Sequence, residues 1–103
     1  MYKIVYLESA DEDIDNVIKY ISNELGNKTA ASKLANKIIN SIGKIKIFPY
    51  GAPVLITKRK LKNIYRYTKV NNYLIFYYID EANKTIMICR VLYHKMNVKS
   101  ILY

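Results

Sequence analysis

Apolar residues recur every three to four positions through the first half of this chain and nearly every second position through its last third. The first spacing marks helices that bury one face, and the second marks strands. Tyr2 to Leu7 is apolar enough for a short opening strand. Ile14, Val17, Ile18, Ile21 and Leu25 then fall on one stripe of a first helix. Ser9 to Glu12 has the S-x-x-E form of a capping box, and the acids at 11, 12 and 13 suit the positive end of a helix dipole. Gly26 supplies a stop. Asn27 or Thr29 can cap a second helix, whose stripe is Ala31, Leu34, Ala35, Ile38, Ile42 and Ile45, broadened by Ile39. The link between the two is short, so they form an antiparallel hairpin. Phe48-Pro49-Tyr50-Gly51 ends the second helix.

A loop follows, which Pro53 keeps from becoming a central strand. Strands are expected over Ile64 to Val70, Tyr73 to Ile79 and Thr85 to about Tyr93, joined by turns at Asn71-Asn72 and Asp80 to Lys84. In the last strand Ile86, Ile88, Arg90, Leu92 and His94 alternate with Met87, Cys89, Val91 and Tyr93. Both sets are mostly apolar, which predicts a central strand. Arginine inside such a strand is costly without an anion. Arg90 therefore either pairs with an acid of this chain or lines a groove that receives one. Helices first and strands after give an α+β fold: an N-terminal strand, and an antiparallel helical hairpin packed on one face of a mostly antiparallel four-stranded sheet. The other face of the sheet would stay partly open.

Composition narrows the setting. A chain of 103 residues, 51% hydrophobic, is one ordered domain. No apolar run approaches the roughly 20 residues of a membrane span, and the start turns acidic where a signal peptide would be apolar. The expectation is a cytoplasmic protein with no membrane partner. Cys89 is the single cysteine, and its apolar strand setting predicts a buried small hydrophobe. Charge is strongly asymmetric. Residues 1–24 hold two lysines against six acids, a net of −4, while residues 25–103 hold 15 basic residues against Asp80 and Glu81, a net of +13, together the chain's +9. Such a field gathers anionic partners, nucleic acid or an acidic protein. The densest run, Lys58, Arg59, Lys60 and Lys62, suits phosphate contact as a substrate-binding element.

Several motifs occur in a fixed order: Phe48-Pro49-x-Gly51, then Tyr65-Arg66, Val70, Tyr73, Phe76-Tyr77, Ile79-Asp80 and finally Ile88 to Tyr93. In that order and spacing the chain resembles the RelE/ParE superfamily of bacterial toxins over Tyr2 to Leu102. The resemblance implies the toxin half of a type II toxin–antitoxin module, silenced by a small antitoxin that folds as it wraps the toxin. RelE-like members cut messenger RNA in the ribosomal decoding site, and ParE-like members poison DNA gyrase. The partners implied are an antitoxin and either the ribosome with its mRNA or gyrase.

Such RNA cleavage needs no metal and no cofactor. A 2′-hydroxyl must lose a proton, charge on the phosphate must be offset, and the leaving oxygen must gain a proton. Arg66, Arg90, Tyr93, His94 and Lys95 are the candidate catalytic residues, with His94, the only histidine, suited to proton transfer near neutral pH. Two features point away from cleavage. Leu74 stands where RelE-like toxins carry an arginine, and the Arg90-Val91-Leu92-Tyr93 run is more ParE-like. The reading leans slightly to an mRNA interferase, a metal-independent endoribonuclease. The alternatives are a gyrase inhibitor and, from a different class, a non-catalytic module that binds RNA or protein.

Overall fold

The computed structural model describes residues 1–96, so expectations that touch residues 97–103 lie outside it. In chain order the elements are β1 (Lys3–Tyr6), α1 (Glu8–Lys19), a π-helical turn (Tyr20–Glu24), α2 (Lys28–Ile47), β2 (Arg66–Val70), β3 (Tyr73–Asp80) and β4 (Thr85–Tyr93). The sheet order is β1-β4-β3-β2, with β1 parallel to β4 and the other pairs antiparallel. This is the α+β architecture the pattern predicts, with β4 in the interior.

The hairpin turns follow from their residues. Asn71 takes the left-handed conformation (φ 52°) in the two-residue β2–β3 turn, as a short polar side chain tolerates. Asp80 closes the β3–β4 turn by accepting from both the backbone and side-chain nitrogens of Asn83. Gly26 (φ 62°) ends the first helical segment, and Asn27 caps α2 by accepting from the Ala30 N–H at 3.0 Å.

Both helices cover one face of the sheet. Leu34, Ile38, Ile42 and Ile45 of α2 meet Ile75, Tyr77, Ile86 and Ile88 in the core, with Ile14, Val17, Ile18 and Ile21 packed at its margin. At about 25 cal/mol per Å², each fully buried aliphatic side chain contributes about 2 kcal/mol. Two apolar positions depart from the expected stripes. Leu25 and Ile39 are 58% and 62% exposed, because the π-helical turn and the far side of α2 carry them away from the sheet.

Four further corrections arise from tertiary contacts. Ser9 does not cap α1. Leu7 holds that position, its carbonyl accepting from the N–H groups of Ala10 and Asp11, and the Ser9 hydroxyl donates to the Cys89 carbonyl at 2.7 Å. Strand two begins at Arg66 rather than Ile64, which is exposed in the preceding loop. The alternation of β4 breaks in mid-strand. Tyr77 pairs with Ile88 but Phe76 pairs with Arg90, so Cys89 is an extra residue in a β-bulge. Beyond it Val91, not Leu92, joins Ile86 and Ile88 under the helices. The opposite face is also less open than expected, since Phe76, Cys89 and Leu92 are buried there. Burial pushes the Cys89 thiol up to about 12. Alkylation by iodoacetamide at pH 8 is therefore expected to be far slower for the folded chain than in denaturant, and equal rates would show the site open.

Candidate functional site

α1 leaves β1 at Leu7 and runs beside the part of β4 that β1 is too short to pair. The Leu7 N–H donates to the Ile88 carbonyl, Ser9 to the Cys89 carbonyl, and the Val91 N–H to Asp13 Oδ2 at 2.9 Å. The Leu7 backbone and two side chains of the helix thus replace the missing strand along the edge. The same Asp13 carboxylate accepts from Arg90 Nε at 2.7 Å and Arg90 Nη2 at 3.0 Å. Of the two readings open for Arg90, pairing with an acid of this chain is realised. Asp13 was legible only as a helix-dipole residue. The useful signal was the arginine itself, since an arginine in an apolar strand requires a carboxylate on whatever covers it.

Arg90 also borders a trough of about 610 Å³ between α1 and the end of β4, together with Tyr20, Tyr73, Tyr93 and Met96. Tyr93 meets Tyr73 edge-on (centroids 5.9 Å apart) and His94 at 5.0 Å. His94 is held by its backbone N–H, which donates to the Asn72 carbonyl, and Lys95 next to it is exposed. Arg90, Tyr93, His94 and Lys95 therefore share one end of the sheet.

Arg66 does not join them. It lies at the start of β2, where its guanidinium donates to the carbonyls of Ala52 (2.7 Å) and Tyr50 (3.2 Å) and sits over the Tyr50 ring. Tyr77, fully buried, donates to the Pro49 carbonyl at 2.7 Å. Tyr50 in turn donates to Glu81 at 2.6 Å, as does Tyr2 at 2.7 Å, and Lys84 pairs with the same carboxylate. Arg66 is thus part of a clasp that fastens the chain after α2 to the sheet.

Glu81 is held down at about 2 by Lys84 first, then by the Tyr50 and Tyr2 hydroxyls. A depressed carboxylate stabilises the fold above its unfolded value, near 4.5, and that contribution disappears as pH falls toward 2. Replacing Glu81 with Gln is expected to flatten the acid limb of thermal stability in that window. An unchanged limb in a melting series from pH 5 to pH 2 would dismiss the clasp as a stabilising element.

The loop after the clasp returns along the outer edge of β2. Leu55 N–H donates to Tyr65, Tyr67 N–H donates to Pro53, and Val54 bridges Arg66. Lys58, Arg59, Lys60 and Lys62 lie at the tip of this arm, all exposed, with exposed Ile56 and Ile64 flanking them. The arm projects from the Arg66 end of β2, whereas Tyr93 to Lys95 lie at the other end, beside Asn72. The sequence-predicted residues consequently fall into three places: the trough, the clasp and the arm. Among the described residues, no group of three or more His, Cys, Asp or Glu side chains is placed to hold a metal, and no helix is long and apolar enough to cross a membrane.

A family model for the ParE toxin of the type II toxin–antitoxin system parDE matches residues 4–98. The chain belongs to the ParE toxin family. A solved structure described as a chromosomal ParDE toxin–antitoxin system from P. aeruginosa has the same fold, with a TM-score of 0.69 at 16% identity, covering 90% of this chain and 96% of that one. No curated protein matches at the level of sequence. The bulged β4 that carries the Arg90-to-Tyr93 motif, and the Arg66 and Tyr77 side chains of the clasp, fall within the span this ParE family model matches.

Proposed function

We propose that this ParE-family chain is the growth-inhibiting half of a toxin–antitoxin pair, silenced by a small antitoxin, and that it acts on DNA gyrase without nuclease chemistry. The observation that carries this reading is the family match over residues 4–98. The side-chain geometry supports it. Cleaving RNA requires cations free to offset charge on one phosphate. Here Arg90 spends two donors on Asp13, and Arg66 is bound to backbone carbonyls at the far end of its strand.

Ribosome-dependent cleavage is the second reading, favoured by one feature: the contact of Tyr93 with His94 beside exposed Lys95. One pair of assays separates the two. With purified gyrase and plasmid, the chain is expected to accumulate cleaved DNA–gyrase complex. Messenger RNA on purified ribosomes is expected to stay intact. Ribosomal cleavage that is lost in His94→Ala would overturn the gyrase reading in favour of the second. A short reading frame is expected beside the gene, and its co-expression is expected to restore growth.

A further inference from the structure

The charge asymmetry of the sequence becomes an asymmetry of the fold. α1, with exposed Asp11, Glu12 and Asp15, packs over β4, while α2 packs over β2 at the other side of the sheet. Between α2 and the Val70 end of β2 runs a groove of about 430 Å³. Its walls carry the exposed cations Lys37, Lys44 and Lys69 with the polar side chains of Asn40, Ser41 and Thr68, and among the described residues no carboxylate lines it. Lys37 Nζ reaches across it to Asn71 Oδ1 at 3.2 Å. At the other end of β2 stands the arm with Lys58, Lys60 and Lys62. The groove takes in Thr68 to Val70 at one end of β2 and the arm stands before Arg66 at the other, so the two cationic groups lie toward opposite ends of one edge.

We infer that this edge binds the backbone of duplex DNA, a contact separate from any with gyrase protein and independent of the gyrase reading. Ammonium, hydroxyl and amide donors without a facing carboxylate are the groups that hold phosphate oxygens. Among the described residues no aromatic ring lines the groove, and residues 58–62 at the arm's tip include none. Single strands are gripped by stacking their bases, so the lining favours a paired duplex. Two cationic groups set apart along one edge can hold separate stretches of a duplex backbone. An acidic peptide would leave the hydroxyl and amide donors of the groove with less to do.

Fluorescence anisotropy of the purified chain with a labelled 20-base-pair DNA tests this over a salt series. Binding is expected to weaken with salt, and each phosphate contact contributes about −0.9 to the slope of log K against log salt. The double variants Lys44→Ala/Lys69→Ala and Lys60→Ala/Lys62→Ala are each expected to reduce that slope by about 1.8 and to weaken binding at least tenfold at 0.1 M salt. Lys3→Ala/Lys19→Ala removes the same charge from the other side of the molecule and is expected to leave the slope unchanged. All six positions are exposed, and circular dichroism of each variant checks that it is folded. The inference is overturned by no binding at low salt, by an equal slope change in the Lys3/Lys19 control, or by equal or tighter binding of single-stranded DNA, duplex RNA or poly-glutamate.

Discussion

Asp13→Ala is expected to lower the melting midpoint by about 10 °C or more. The carboxylate has three jobs at once: it accepts from Arg90 Nε, from Arg90 Nη2 and from the Val91 N–H. Removing it strands a guanidinium and a backbone donor in a partly dry place. Breaking a fully buried pair from one side costs about 3–5 kcal/mol. Here the Arg90 side chain is 29% and the Asp13 side chain 13% exposed, which lowers the expectation to about 2–3 kcal/mol. For a domain of this size each kcal/mol moves the midpoint by about 4–8 °C. Asp13→Asn retains one acceptor and the volume, so about half the loss is expected. Adding Arg90→Leu to Asp13→Ala should recover part of the stability, because no charge is then left behind. If the double variant melts at the sum of the two single losses, Arg90 and Asp13 are not coupled and the latch is an incidental contact.

Tyr77 carries the second large expectation. Its ring is fully buried in the core and its hydroxyl reaches the Pro49 carbonyl. Tyr77→Ala deletes both and is expected to cost about 4 kcal/mol through the cavity alone. Tyr77→Phe separates the contributions. The ring stays, and the Pro49 carbonyl loses its donor, for about 1–2 kcal/mol. The same change is expected to speed hydrogen exchange at Leu55 and Tyr67, whose N–H groups hold the base of the arm. Exchange unchanged at those two amides would show that the arm is positioned without the clasp.

The helices and strands were legible because their stripes and alternations repeat over several turns or residues. Ile38, Ile42 and Ile45 were placed correctly by period alone. Cys89 marks where period fails. A bulge is one unpaired residue, and nothing in an unbroken apolar run announces it, so Leu92 and Val91 exchange faces. Ser9 and Asp13 were misread for a related reason. Local rules assign them to the start of a helix, but a strand some 80 residues away has open backbone groups that claim them. The candidate site divided in the same way. Tyr93, His94 and Lys95 are neighbours in the chain and stay neighbours in space. Arg66 was grouped with them by chemistry, yet strand direction sends it to the opposite end of the sheet, where unpaired carbonyls of the Tyr50–Ala52 segment hold it.

The parallel pairing of β1 with β4 joins Lys3 to Thr85. β1 therefore has no strand partner until β4 has been made. At about 5–20 residues per second, that delay is about 4–16 s during which the N-terminal segment has no partner. Until then the sheet is incomplete and α1 lacks the β4 edge to which Ser9 and Asp13 fasten it.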